Sequence, residues 1–373
     1  MNNWIRSICD KADALVPTRR RWFDSPEPLY IYGTGGMARD IARVLRVKGF
    51  EILAFVDHLG TSGATCEGLP VVRPDAIQES RANPIVMGIH NYKADLPSLI
   101  LRLQSLGFTH IVSNVDLYDC VGAELGDRYW LGSRSFYKAQ IENIVALDAF
   151  WSDDASRLLY KQVLEYRMTG DSLVLPNPAT STQYHPSDIP AWEYPLRMVD
   201  CGAFTGDTVL DFINHKLAIA SFSAFEPDSA NFTQLAKNVR LNQQHLPDAK
   251  LWPCGVSRTT GLVSFDAAQG LGSHISSAGT SAIQCVSLDE ALQNADINLI
   301  KMDIEGAEPD ALLGARELIK DRRPGLALSV YHTPAHLWEI PFLVKTLIQG
   351  DARYYLRMHG HSTFDLVLYV LPC

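Results

Sequence analysis

The residues with most chemistry to offer stand at the ends of short apolar runs in the second half of the chain. Asp200 closes one such run, and Cys201, Gly202, Ala203, Phe204, Thr205, Gly206, Asp207 and Thr208 follow it. Two glycines four apart lead into Asp207 and Thr208, where a helix would start. Val209, Leu210, Phe212 and Ile213 then continue at helical spacing, so the stretch reads as strand, glycine turn, helix. Glycines there would let backbone approach a ligand closely, and crevices beyond the carboxyl ends of parallel strands are where α/β sheets bind ligands. No lysine follows Gly206, so the phosphate-cradling Walker pattern is not met. With two acids and no basic residue, the turn would draw a cation rather than a polyphosphate. An ordinary βα turn with a helix cap would read the same way from this stretch alone.

Asp303, Glu305 and His332 form a second group. All three fall at the ends of apolar runs and would reach a shared crevice. A neutral histidine is the usual general base near pH 7, so His332 is expected to help deprotonate a hydroxyl, with Asp303 or Glu305 orienting it or the substrate. Glu308 is expected in the first turn of the next helix, where negative charge is favourable. The plainer readings are helix-capping acids and a strand-end histidine bonded to backbone. No metal is expected: His359 and His361 make only half a site, although Asp303, Glu305 and His332 could together hold a divalent ion that lowers a hydroxyl pKa.

The elements that must position these groups can be read around them. Ala220–Glu226 is a second strand stopped by Pro227, and Glu226 lies one βαβ step beyond Gly202, placed to accept both hydroxyls of a ribose. Lys250–Val256 is a third strand, with Cys254 and Gly255 at its tip, where an adenine would lie. Asn298–Asp303 and Leu326–His332 are the fourth and fifth, and Tyr354–Met358 with Phe364–Leu371 a closing antiparallel hairpin. A cationic ligand with ribose and adenine is S-adenosylmethionine (SAM), the cofactor expected here.

The runs VDCGAFTGDT, FEP, KMDIEGAE and SVYHTPAHLWEIP occur in order at fitting spacings. On them, the chain from about Leu117 to Cys373 resembles the FkbM family of SAM-dependent methyltransferases. The resemblance implies a class I methyltransferase fold, Rossmann-like, with a seven-stranded sheet whose last strand is antiparallel. It also implies O-methylation of a sugar, polysaccharide precursor, glycolipid or secondary metabolite, and leaves the acceptor open.

Upstream, Pro28–Tyr32 reads as a strand leading into Gly33, Gly35 and Gly36 and then a helix. Asp57 ends the next strand, where an acid would meet a ribose. This could be a nucleotide loop, or an NAD site serving an oxidoreductase. The segment Leu29 to Leu117 is long enough for only one mononucleotide half, and nothing downstream offers a hydride-transfer domain. YGTGGMARDIARVL and AFVD resemble the small Rossmann-like domains that precede nucleotide-sugar acyltransferases and some FkbM-type methyltransferases. The expected organisation is therefore α/β throughout: an N-terminal Rossmann-like domain at 1–117, a helical connector and lid at 118–195, and the methyltransferase domain at 196–373. In the connector, Ser152 would cap the helix Asp153–Tyr166, and the loop at Tyr184 and His185 would cover the site or simply link. A glycine-rich stretch holding Ser273 and His274 would serve as a substrate lid or a surface hairpin. Tyr184, His274 and Tyr331 are the candidate substrate contacts.

The chain has 373 residues, 47% of them hydrophobic and 20% charged, with net charge −9. That is a globular composition with ample core, and its acidity disfavours nucleic-acid partners. No apolar run reaches membrane-spanning length. Seven scattered cysteines without a CxxC pattern favour reduced thiols and a cytoplasmic setting. A small-molecule or glycan acceptor is the expected partner, with self-association left open. A protein that binds SAM or a nucleotide without catalysis is the remaining alternative.

Overall fold

The computed structural model describes residues 2–61, 63–266, 274–275 and 281–373. Its chain divides into two compact units, one of Met1–Asp148, Arg157–Pro178 and Gly360–Asp365, the other of Ala149–Ser156, Ala179–His359 and Leu366–Cys373. In the first unit, strands β1 (Leu29–Tyr32), β2 (Ile52–Val56), β3 (Thr65–Cys66), β4 (Leu69–Val72), β5 (Ile85–Met87) and β6 (Ile111–Val112) form one sheet in the order β3-β4-β2-β1-β5-β6. Every pair is parallel except β3–β4. β1 is buried along its whole length, as its unbroken apolar run LYIY requires of a central parallel strand. Beside this sheet, Arg134 is buried between Asp116 and Asp119 and donates to the Met168 carbonyl at 2.7 Å, which ties three helices of the unit together.

The second unit holds β7 (Leu196–Cys201), β8 (Ile219–Phe225), β9 (Ala249–Trp252), β10 (Gly255–Val256), β11 (Gly261–Asp266), β12 (His274–Ile275), β13 (Ser281–Val286), β14 (Leu299–Met302), β15 (Gly325–Ser329), β16 (Ala352–Met358) and β17 (Leu366–Pro372). Seven of them make a sheet ordered β16-β17-β15-β14-β7-β8-β9, and four make a smaller one ordered β10-β13-β11-β12. In the large sheet, β17 runs antiparallel to both of its neighbours and the other pairings are parallel. Order and direction are those of a class I methyltransferase sheet with an antiparallel last strand. Leu196, Met198, Phe222, Leu299 and Ala327 bury one face of it under Phe212, Leu235 and Val239.

Two local expectations need correcting. Lys250–Val256 is not one strand. The run breaks at Pro253, which has no N–H to continue a ladder, and Gly255–Val256 leaves the large sheet to pair with β13. The cap of the helix Asp154–Thr169 is Asp153, whose Oδ1 accepts the Ser156 N–H at 2.7 Å, while the Ser152 hydroxyl oxygen accepts the Tyr354 N–H. Among the described residues no helix is long and apolar enough to cross a membrane, and all seven cysteines are free thiols.

Candidate active site

The carboxyl ends of β7, β8, β14 and β15 lie side by side, because β7 pairs with both β8 and β14, and β14 with β15. Asp200, fully buried near the end of β7, pairs with Lys301 at 2.9 Å, and Lys301 also donates to the Gly202 carbonyl at 2.7 Å. Burial pushes the Asp200 carboxyl up to about 6, against the pull of Lys301. Burial works against the Lys301 charge too, but Asp200 and Asp303 outweigh it and keep the ammonium protonated. The pair braces the β7 turn from behind.

The glycines of that turn serve the protein first. Gly202 has φ +74°, and a Cβ there would lie 2.0 Å from the Asp303 carbonyl oxygen. The residue is glycine so that the turns after β7 and β14 can touch. Gly206, at φ +85°, starts the helix Asp207–Asn214, which carries Asp207 and Thr208 in its first turn. Between them, buried Ala203 precedes Phe204, a non-glycine residue at φ +47°. The Phe204 N–H donates to Glu226 Oε2 at 2.8 Å, and Glu226 Oε1 accepts the Asp228 N–H at 2.9 Å across Pro227. Glu226 thus locks the β7 and β8 turns together; its burial raises the carboxyl pKa and the two N–H groups oppose that. The Asn231 side chain hydrogen-bonds the carboxylate as well, so of its roughly four lone-pair sites one remains for a hydroxyl donor. Beyond β9, Cys254 is buried, and desolvation pushes its thiol up to about 11. Gly255 is packed against Cys285, whose sulfur lies 2.9 Å from where a Cβ would stand.

At β14 and β15 the acids gather around one imidazole. His332 Nδ1 lies 2.8 Å from Glu308 Oε1, and Nε2 lies 3.2 Å from Asp303 Oδ1 and 3.6 Å from Glu305 Oε2. Glu308, wholly buried, also accepts the N–H groups of Ile304 at 2.9 Å and Gly306 at 3.1 Å, and its Oε2 stands 3.4 Å from His336 Nδ1. Tyr184 donates its hydroxyl to Asp303 Oδ2 at 2.9 Å, and Tyr331 packs its ring 4.3 Å from that of His332. Desolvation opposes the imidazolium, but Glu308, Asp303 and Glu305 prevail and hold the His332 pKa well above its ordinary value. Burial likewise works against the Asp303 charge, and His332 together with Lys301 and Tyr184 reverses it, so Asp303 stays ionised far below the usual carboxylate range. Glu305 is held at φ +55°, a conformation that costs a non-glycine residue about 1–2 kcal/mol.

Residues 200–361 match the family model described as the methyltransferase FkbM domain. They are a methyltransferase FkbM domain. A methyltransferase FkbM from Methylobacillus flagellatus KT has a solved structure similar to this chain at TM-score 0.79 and 22% identity, covering 99% of each chain. A ribosomal protein L11 methylase from Lactobacillus delbrueckii subsp. bulgaricus is matched over 46% of this chain and 67% of its own, at 14% identity and TM-score 0.27. The METTL16 methyltransferase domain is matched over 48% and 74%, at 14% identity and TM-score 0.31. Those last two likenesses are too low to carry weight. No curated protein matches the chain.

The structure draws Asp303, Glu305, His332 and Tyr331 into one cluster with Tyr184, which lies outside the matched residues. It does not draw in His185, whose ring packs near Tyr194 and Phe212. The backbone of His274 lies in β12, paired with Asp266; its side chain, with Ser273, Gly270, Gly272 and Gly279, lies outside the described residues. His359 is held by the Tyr369 hydroxyl at 2.8 Å. His332 does not suit the role of neutral base, because both ring nitrogens face carboxylates and its proton is held tightly. Lys301, Glu308 and His336 were not foreseen as parts of the site. Glu308, His332 and His336 bring one potential metal-ligand atom each within 4.8 Å of one another. Both Glu308 oxygens, however, already accept backbone N–H groups and face imidazoles, so a metal would have to compete with donors already in place.

Proposed function

We propose that the FkbM domain transfers a methyl group from SAM to a hydroxyl oxygen of a sugar, polysaccharide precursor or related metabolite. The observation that carries this reading is the pairing of two sets of strand ends. Glu226 and the Asp200–Thr208 turn stand at β7 and β8, and the carboxylate–histidine cluster stands next to them at β14 and β15. SAM would lie along Asp200, Gly202, Ala203, Phe204, Gly206, Asp207 and Thr208, with its ribose on Glu226 and Pro227 and its adenine toward Cys254 and Gly255.

SAM, when bound, would supply the methyl group from its sulfonium, the S–CH3 electron pair staying with sulfur as the acceptor oxygen takes the methyl. Alignment of the reacting atoms supplies much of the acceleration. The hydroxyl proton must also leave. Glu305, about a quarter exposed beside His332, is the acid assigned to take it. Asp303, fixed by Tyr184 and His332, accepts a hydrogen bond from the acceptor and positions it. His332 is a positioning residue, held as an imidazolium by Glu308. The cytoplasm is the proposed compartment.

The test is transfer of a labelled methyl group from SAM to a panel of sugars, nucleotide sugars and glycan precursors. Glu305→Gln should lower turnover by about 10²–10⁴-fold, the range for a positioned proton acceptor, with SAM affinity unchanged. Labelled product on nitrogen or carbon, with none on oxygen, would overturn the acceptor class. Full turnover in Glu305→Gln would overturn the role of that residue.

A further inference from the structure

The sheet of the first unit carries a cavity that methyl transfer does not use. It is an open cleft of about 600 Å³, lined by Thr34, Arg39, Asp57, Leu59, Glu67 and Val71, among others. Small-molecule pockets run from about 300 to 1,000 Å³, so the space suits a ligand. Its place in the sheet is specific. Thr34 follows β1, Asp57 follows β2 and Val71 belongs to β4, so the cavity opens beyond the carboxyl ends of parallel strands. β1 has β2 on one side and β5 on the other, which makes its end a point where the strand order reverses. That is where open α/β sheets bind ligands.

The polar groups there are arranged for two kinds of partner. Asp57 accepts the Leu59 N–H at 2.9 Å on Oδ1 and the Thr34 hydroxyl at 3.2 Å on Oδ2. Each oxygen retains a lone pair, so a fixed carboxylate can accept from a vicinal diol. Outside the lining itself, between its members Thr34 and Arg39 in the chain, Gly35 precedes the twelve-residue helix Gly36–Val47, which has no side-chain cap and no acid in its first turn. At both Gly35 and Gly36 the place of a Cβ is open, with nothing within 4 Å. This is the reverse of Gly202, whose missing Cβ is filled by protein. Arg39 is anchored one turn in, its Nε donating to the Thr34 carbonyl at 3.1 Å, which brings its positive charge to the rim.

We propose that this cavity binds a nucleoside diphosphate, with the ribose diol on Asp57 and the diphosphate over Gly35 and Gly36 beside Arg39. A dinucleotide is disfavoured because it spans two sets of three strands. Here the far side of β1 offers only β5 and β6, of three and two residues.

The test is calorimetric titration of the full chain with UDP and ADP, with their 2′-deoxy counterparts, and with NAD+ as the dinucleotide. One site for UDP or ADP is expected, weakened by about 10- to 100-fold when the 2′-hydroxyl is missing, the range for one hydrogen bond to a charged acceptor. Asp57→Asn should weaken the parent ligand to a similar degree, and Arg39→Glu, at an exposed position, should weaken it as well. If Asp57→Asn fails to fold, the deoxy ligands carry the same test on the unaltered protein. Absence of heat from both diphosphates at millimolar concentration, equal affinity for ribo and deoxy forms, or NAD+ binding more tightly than ADP would each overturn the proposal.

Discussion

Glu308→Gln is the substitution that probes the acid–histidine cluster most sharply. Glutamine keeps the shape of the side chain, yet the groups hydrogen-bonded to it are donors in the intact protein: the N–H groups of Ile304 and Gly306 and the imidazolium Nδ1 of His332. The amide nitrogen must therefore point at one or two donors, and the imidazolium loses a buried carboxylate 2.8 Å away. Removing one partner of a buried ion pair costs about 3–5 kcal/mol. A lost charged hydrogen bond of about 1.5–3 kcal/mol plus one orphaned N–H of about 1–3 kcal/mol reaches a similar figure. The pH dependence should change with it. His332 has its folded pKa raised, so its stabilisation is fully present below about pH 6.5 and is lost as pH rises through the folded value. Asp303 and Glu308 have theirs lowered, so their share is present above about pH 4.5 and is lost as pH falls. The wild type should gain most from the cluster between these limits, and Glu308→Gln should flatten both flanks. Urea unfolding across that pH range reads both effects. A loss below about 1 kcal/mol, or a pH profile parallel to the wild type, would refute the buried pair as the organiser of the site.

Gly202→Ala should cost about 4 kcal/mol or more, because its Cβ would meet the Asp303 carbonyl at 2.0 Å in a left-handed backbone; near-normal thermal stability would show that the two turns do not touch. Lys301→Met should destabilise by about 3–5 kcal/mol by stranding Asp200. The double variant Asp200→Asn with Lys301→Met should recover much of that loss in denaturant unfolding, and strictly additive losses would contradict the pairing.

The sheet was legible because β7, β8 and β14 are apolar runs each closed by an acid, and β15 is an apolar run that leads into His332. Pro253 was equally visible, but an apolar run through it masked the break into β10. Local pattern also placed Glu226 and Asp303 correctly at strand ends. It could not show that Gly202 answers to Asp303, since that contact joins turns a hundred residues apart in the chain. Lys301 carried a readable signal: a lone charge inside NLIKM, a strand buried on both faces, has to be paired. His332 and His336 stand four apart, and that spacing hinted at a shared partner. What sequence could not supply was the protonation state of His332, which depends on three carboxylates arriving from another strand end.

The central claim is that SAM binds at the β7 and β8 turns. Calorimetric titration of SAM into the wild type and into Glu226→Gln tests it directly. One site per chain is expected, weakened in the variant by about 1.5–3 kcal/mol as the charged acceptor for the ribose is lost. Failure of the wild type to bind SAM at millimolar concentration, or equal affinity in a folded Glu226→Gln protein, would contradict the claim.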